Sequence, residues 1–241
     1  MSLFEQLNRE AATKGLRFLV IGGHAVMEHG FQRGTEDADI LVSKDDRILW
    51  MEIPGRLGYK LFRDGGTFLQ FEPADSSQWD LDVMLVPAGV FERLHASAKA
   101  AKLEGAAVVV PSLEHLLALK VHAMKHGKGL RALKDTTDVA QLLSVNRIDP
   151  KAAWLRQLFE KHGDLMLYER VVQHSPKETA IRSGDAGPLE FPDWRGKLPH
   201  RSRVSNDEWL DYCRSNLPKL RQRPGHAQQR RRNGIGAEFV L

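Results

Sequence analysis

The sequence predicts an α/β (α+β) protein with a mixed β-sheet core flanked by helices, followed by further helices and a loop-rich tail. Two observations support this prediction. Short apolar runs at 18–21 and 40–42, and the largely apolar segment at 79–86, are typical of buried strands. Helical spacing of apolar residues follows from residue 113 onward. With 241 residues, the chain is long enough for one domain with an appendage or for two small domains.

Turn-forming residues separate the elements expected before residue 90. Gly22 and Gly23 close the first strand, and Gly30 ends the helix after it. Asp45 or Asp46 can begin a helix, which Pro54 is expected to shorten. In chain order the pattern gives a helix at 3–13, a strand at 18–21, a helix at 24–29, a strand at 40–42, a helix to about 57, a hairpin of strands 59–62 and 67–71, and a strand at 79–86.

Helices dominate the pattern between residues 90 and 173. Pro111 and Ser112 open the clearest of them, with Ser112 as the expected N-cap. The elements are a helix at 91–101, a strand at 107–110, helices at 113–126 and 133–143, and at least one helix within 151–173. We therefore expect a core at 1–110, a helical segment at 111–173 that completes the site, and a loop-rich linker with a basic tail at 174–241.

Composition and charge narrow the classes of function. No apolar run approaches the roughly 18 to 20 residues of a membrane helix. No secretory signal opens the chain, and Cys213 is the single cysteine, which excludes an internal disulfide and suits the cytoplasm. The formal net charge is +4, with Lys and Arg concentrated at 195–232. Such a tail can bind nucleic acid or can be a solvated end, and both interpretations stay open.

Two aspartates at the start of the second strand indicate the chemistry. Asp37 and Asp39 point to one face of a strand, where their charges repel unless a cation neutralises them. Carboxylate oxygens suit Mg²⁺ or Mn²⁺. Gly22 and Gly23, fourteen or more positions earlier, leave room for a phosphate to approach the backbone. This pattern predicts a divalent metal site for phosphoryl or nucleotidyl transfer.

A third carboxylate is expected from the strand at 79–86. Asp80 and Asp82 share one face of it, and Asp82 leads directly into an apolar run, as Asp39 does. We favour Asp82 as ligand or general base, with Asp80 as the second choice. The alternative is that both are the solvent face of an amphipathic edge strand.

The spacing of these residues resembles a known superfamily. Gly22-Gly23-His24-Ala25, followed by Arg33-Gly34-Thr35-Glu36-Asp37-Ala38-Asp39, matches the first motif of AbiEii-type minimal nucleotidyltransferases. That superfamily includes DNA polymerase β and kanamycin nucleotidyltransferase. The resemblance covers about residues 15–145 and implies a mixed-sheet core followed by helices. It also implies that Gly22, Gly23, Arg33 and Thr35 bind the nucleotide.

Later segments extend the resemblance. Lys120 matches a lysine on the helix after the catalytic strands, and residues 131–138 match an Arg-x-x-Lys-Asp-x-x-Asp segment. Lys120, Arg131 and Lys134 are therefore expected to contact the triphosphate. Asp135 and Asp138 are expected to support them by orienting the cations. The alternative makes Lys134 and Asp138 an ordinary surface pair at i,i+4 spacing, worth about 0.2–0.5 kcal/mol.

The expected function is transfer of a nucleoside monophosphate from an NTP to an RNA, protein or small-molecule acceptor, with Mg²⁺ or Mn²⁺ as cofactor. The resemblance implies a role as the toxin of a toxin–antitoxin pair, with a cognate partner protein. The alternative is a non-catalytic binding module of the same fold, acting as antitoxin or regulator. A third idea is a nucleic-acid binder that acts through the basic tail.

Overall fold

The computed structural model describes residues 1–127 and 129–175, and these hold helices α1 to α8 and strands β1 to β7. The expected linker and basic tail lie outside the described residues. The helices are α1 Leu3–Thr13, α2 Gly22–Glu28, α3 Arg47–Arg56, α4 Ala88–Ala96, α5 Leu113–His126, α6 Leu130–Val145, α7 Ala153–His162 and α8 Leu165–His174. The strands are β1 Leu19–Val20, β2 Asp37–Ser43, β3 Tyr59–Asp64, β4 Phe68–Pro73, β5 Asp80–Val86, β6 Lys99–Leu103 and β7 Ala106–Val110.

Five strands form one mixed sheet in the order β1-β2-β5-β4-β3. Strands β2 and β5 run parallel, whereas the β1–β2, β5–β4 and β4–β3 pairs are antiparallel. The sheet confirms the expected α/β class with a mixed sheet. It also places the two acidic strands side by side, although α3 and the β3–β4 hairpin lie between them in the chain.

Alternation along β2 and β5 divides their side chains between two hydrophobic clusters. Ala38, Ile40 and Val42 face the larger cluster, which also takes in residues of α1 and of α5 to α8. Leu41 and Val86 face the smaller cluster, together with residues of α4. The acidic residues at the starts of β2 and β5 share the parity of Leu41 and Val86, so they lie on that second face.

Capping explains where several helices begin. Ser2 accepts a hydrogen bond from the backbone N–H of Glu5, and the Glu5 side chain accepts one from Ser2 in return, which completes a capping box for α1. Ser112 caps α5 as predicted by accepting from His115 N–H. Within the described part of the chain, no helix has both the length and the apolar character that crossing a membrane requires.

Three local expectations were wrong. Helix α2 begins at Gly22 rather than at residue 24, so the glycines open the helix. Pro54 does not shorten α3, because the helix continues past it to Arg56. Residues 99–101 are not helical: they begin β6, which pairs with β7 in a separate two-stranded sheet. The Lys-Ala-Ala-Lys segment carries no β-branched signal, and pairing with β7 determines its structure.

Candidate active site

Asp39 and Asp82 lie opposite each other on parallel neighbours. The register of β2 and β5 pairs Asp39 with Asp82 and Asp37 with Asp80. Because paired positions on adjacent strands point to the same face about 4.8 Å apart, the acidic starts of the two strands form one patch. Asp82 is partly buried and Asp80 is exposed. The site therefore gathers Asp37, Asp39 and Asp82, with Asp80 at its solvent edge.

The pKa values of two of these carboxyl groups, Asp39 and Asp82, are raised. Burial, with a contribution from the charge of Asp39, raises the pKa of Asp82 to about 7, although a hydrogen bond from Gln70 acts in the lowering direction. Burial also raises the pKa of Asp39, against the lowering effect of Lys120. The charge of Asp37 contributes to both increases. Carboxylates held together against their own repulsion form a site that favours a cation.

The two glycines make room for protein atoms. Gly22 has a φ of +61°, and a Cβ added there would lie 1.8 Å from Oδ2 of Asp39. A Cβ at Gly23 would lie 2.4 Å from the Thr35 hydroxyl and 3.1 Å from a terminal nitrogen of Arg33. The first motif is therefore packed against itself, because side chains from its second half fill the space over the glycines. Whether a phosphate also contacts this backbone stays a prediction.

Gln70 is a site residue that the sequence did not indicate. It lies on β4 opposite Asp82, and its Nε2 donates to both carboxylate oxygens of Asp82, at 3.1 and 3.2 Å. No motif marks it, because a glutamine in a strand has no chemical signature of its own. The signal that could have found it is the register between β4 and β5, which the hairpin turn alone does not fix.

A buried ion-pair network ties the first motif to the helices. Arg33 Nε and a terminal nitrogen donate to the two oxygens of Asp138, at 2.7 and 2.9 Å. Lys120 Nζ lies 2.8 Å from Oδ2 of Asp138 and 2.9 Å from Oδ1 of Asp135. The side chain of Asp138 is only 1% exposed. Of the cations that Asp135 and Asp138 are expected to orient, these contacts hold Lys120, and the burial of Asp138 differs from a surface pair of Lys134 with Asp138.

The same contacts determine the protonation state of Lys120. Burial lowers its pKa, but the carboxylates of Asp135 and Asp138 outweigh that effect and raise it overall. The lysine is therefore charged, and its charge lowers the pKa of Asp39. Oδ2 of Asp135 is buried with no hydrogen-bond partner among the described residues.

Two further cations near the candidate site are exposed to solvent. Arg131 and Lys134 lie in the first turns of α6 and are solvent-accessible. The charge of Arg131 lowers the pKa of both Asp39 and Asp82, and Lys134 lowers that of Asp39. The charges of both cations therefore act on the carboxylates of the candidate site.

His24 belongs to the core. It is 3% exposed, and its ring meets those of Phe4 and Trp79 edge-on at centroid distances of 5.2 and 4.7 Å. Burial, with a contribution from Arg33, lowers its pKa to about 4, so the ring is neutral at pH 7. His24, next to the two glycines in the chain, therefore packs in the core beneath the candidate site.

The donor set fits a hard divalent cation. Asp37, Asp39 and Asp82 offer carboxylate oxygens, the ligands that Mg²⁺ and Mn²⁺ prefer. Among residues 1–127 and 129–175, no three Asp, Glu, His or Cys side chains are arranged to hold a metal ion as they stand. The fit therefore rests on the chemistry of the donors and on the pairing of Asp39 with Asp82.

The structure thus combines a mixed sheet with paired carboxylates on adjacent strands and cations on the following helices, as expected of a nucleotidyltransferase. The comparison with protein families agrees: residues 63–222, more than half of the chain, match the family described as "Nucleotidyl transferase AbiEii toxin, Type IV TA system". The chain belongs to this family and is a nucleotidyltransferase. The matched span includes Asp82, Lys120 and the segment 131–138, and it begins after the Gly22–Asp39 motif.

Solved structures give weaker likenesses. ANT(2″)-Ia in complex with adenylyl-2″-tobramycin is 16% identical, with a TM-score of 0.48 over 66% of this chain and 95% of that one. An antigenic nucleotidyltransferase-like protein from Paracoccidioides brasiliensis is 13% identical, with a TM-score of 0.44 over 70% and 90%. The lincomycin-bound lincosamide adenylyltransferase LnuA is 13% identical, with a TM-score of 0.43 over 60% and 98%. A search of curated protein sequences gave no match.

Proposed function

We propose that this nucleotidyltransferase moves a nucleoside monophosphate from an NTP to a hydroxyl acceptor with a divalent cation held by Asp37, Asp39 and Asp82. The observation that carries the proposal is the pairing of Asp39 with Asp82 on parallel strands. Two repelling carboxylates kept opposite each other destabilise a protein unless a ligand offsets the repulsion. The binding-module alternative gives no reason to retain that repulsion.

Mg²⁺ or Mn²⁺ would supply charge neutralisation at the α-phosphate and at the departing pyrophosphate. In the transfer, the acceptor oxygen forms a bond to the α-phosphorus while the bond to the β-phosphate oxygen breaks, and pyrophosphate leaves. We assign the role of receiving the proton of the acceptor hydroxyl to Asp82, which lies opposite Asp39 in the register of β2 and β5.

The cations divide into two groups with different roles. Arg131 and Lys134 are exposed beside the carboxylates, so they are the residues we assign to the β- and γ-phosphates. Arg33 and Lys120 already pair with Asp138, so their part is to fix the first motif and set the potential at Asp39. Gly22, Gly23 and Thr35 complete the proposed nucleotide site through their backbone and hydroxyl groups.

The acceptor class and the biological role follow the family. We propose that the acceptor is an RNA end, a protein hydroxyl or a small-molecule hydroxyl. We also propose that the chain acts as the toxin of a type IV pair with a cognate antitoxin.

The test is transfer of label from each α-³²P-labelled NTP to total cellular RNA or lysate, with Mg²⁺ or Mn²⁺. Asp39→Asn and Asp82→Asn should each reduce labelling at least 100-fold, because each removes a ligand charge. Asp45→Asn, an exposed aspartate just beyond the far end of β2, should label like the wild type. Full activity in either site variant would contradict the proposal.

A further inference from the structure

The structure distinguishes the carboxylates of this region by the kind of donor that holds them. Asp138 accepts from Arg33 and Lys120, both cations, so its negative charge is already balanced. Asp82 accepts from the neutral amide of Gln70. A neutral donor orients a carboxylate without cancelling its charge, whereas a cation does both.

The geometry of the Gln70 contact fixes the direction of the Asp82 carboxylate. One nitrogen donates to both oxygens at almost equal distances of 3.1 and 3.2 Å, which centres the carboxylate on the amide. An ionised carboxylate offers about four lone-pair directions, so two or more remain free. Gln70 approaches from β4, and β2 with Asp39 lies on the other side of β5, so the carboxylate is supported from the side opposite Asp39.

The position of Gln70 makes this contact rigid. Strand β4 pairs with β3 on one side and β5 on the other, and its neighbours Leu69 and Phe71 are buried in the core. The Gln70 side chain therefore starts from a fixed backbone and reaches the carboxylate of its direct cross-strand partner. With Asp82 ionised, the amide nitrogen faces the carboxylate, because an amide oxygen turned toward it would be repelled.

We propose that Gln70 is a positioning residue that holds Asp82 for the divalent cation while leaving its charge uncancelled. The inference rests on the proposed function, since it concerns the same metal site. Partners that orient metal-ligating carboxylates commonly contribute about 10- to 100-fold to metal affinity or activity. Gln70 therefore acts through Asp82 and need not touch the nucleotide.

The test is direct binding of Mn²⁺ alone, measured by electron paramagnetic resonance of the free ion, on full-length variants. Gln70→Met keeps the length of the side chain but has no donor, and it should weaken Mn²⁺ binding about 10-fold or more. Gln70→Lys keeps a donor but adds a cation, and it should weaken binding more than Gln70→Met does. Gln157→Met, on the exposed face of α7, is the matched control and should bind as the wild type.

Thermal melting of each variant in metal-free buffer distinguishes misfolding from loss of orientation. The inference is supported if Gln70→Met melts as the wild type but binds Mn²⁺ more weakly. It is overturned if Gln70→Met and Gln70→Lys bind as the wild type while Asp82→Asn does not, a result that leaves the proposed function intact. If the wild type itself binds no Mn²⁺, both the inference and the metal-dependent function fail. If Gln70→Met does not fold, the result with Gln70→Lys decides. If Gln70→Lys then binds Mn²⁺ as tightly as the wild type, the inference is overturned, because a cation beside Asp82 would not have impaired the site.

Discussion

At the scale of single residues, the site depends on contacts that only glycine permits. Gly22 combines a positive φ with a carboxylate oxygen in the space that a side chain would take. Gly15 has nearly the same φ, +65°, but a methyl group there would meet nothing within 4 Å. Comparing an alanine substitution at Gly22 with one at Gly15 therefore separates the cost of backbone strain from the cost of collision with Asp39.

We predict that Gly22→Ala loses both stability and activity, whereas Gly15→Ala loses a little stability alone. Left-handed backbone strain costs about 1–2 kcal/mol at either position. At Gly22 the methyl group must also displace Asp39, so the free energy of unfolding should fall further and nucleotide transfer should drop at least 100-fold. Urea unfolding and the labelling assay measure the two effects. Equal behaviour of the two variants would contradict the packing of Asp39 over Gly22.

A second residue-scale prediction concerns Asp82 and pH. Its folded-state pKa of about 7 lies above the value near 3.9 of an unfolded aspartate. Between these values the folded state binds the extra proton, so stability decreases as pH rises from about 4 to 7. Asp82→Asn removes this dependence. In metal-free buffer at pH 8, it should raise the free energy of unfolding by about 1–3 kcal/mol.

The measurement is urea unfolding of the wild type and Asp82→Asn across pH 5 to 8, with Asp45→Asn as control. The two stability curves should approach each other toward pH 5 and separate toward pH 8. A variant that is less stable than the wild type at pH 8 would show that the Asp82 charge is compensated within the protein.

The sequence predicted the candidate ligand residues but not their partners. Asp37, Asp39 and Asp82 stand out because an acidic residue that opens an apolar strand is unusual and has a chemical reason. Gln70 has no such mark, and the partner of Asp138 lies 105 positions away at Arg33. Partners of that kind follow from register and tertiary packing, which one sequence does not contain.

At the scale of elements, helices α5 and α6 hold the first motif in place. Asp138 on α6 receives Arg33 from the loop before β2 and Lys120 from α5. Removing one member of such a buried group leaves the others uncompensated, which commonly costs about 3–5 kcal/mol. The network therefore couples the acidic strand to α6, the helix that carries Arg131 and Lys134.

We predict that Asp138→Asn lowers the free energy of unfolding by about 3 kcal/mol or more. Glu160→Gln is the matched control, because Glu160 pairs with Arg156 on α7 with about half of each side chain exposed. An exposed pair contributes about 0–1 kcal/mol. Denaturant unfolding of both variants gives the comparison, and an Asp138→Asn loss as small as that of Glu160→Gln would contradict the role of the network.

Elements with strong local signals were predictable, and those that depend on pairing were not. Helix α5 agrees with its expected bounds because an apolar run, an N-cap serine and a terminal glycine coincide. The sequence predicts that the helix at 91–101 extends over residues 99–101, because Lys99, Lys102 and the alanines between them suit a helix better than a strand. In the structure these residues begin β6 instead. Its partner β7 supplies the hydrogen bonds that decide the outcome.

At the scale of the whole molecule, one hydrophobic cluster runs from Phe4 of α1 to Val171 of α8. The carboxylates come from the sheet, and the cations come from helices α5 and α6, so the site draws on both the 1–110 and 111–173 segments. The match to the AbiEii family covers β4, β5 and the helices that follow. The expected roles of the linker and basic tail at 174–241 stay predictions.

The most direct test of the central claim is a crystal structure of the protein with Mn²⁺ and a non-hydrolysable NTP analogue, with anomalous diffraction recorded at the manganese edge. We predict an anomalous peak between the carboxylates of Asp39 and Asp82, about 2.0–2.3 Å from an oxygen of each. A nucleotide bound without a manganese peak at these two residues, or manganese bound only elsewhere, would contradict it.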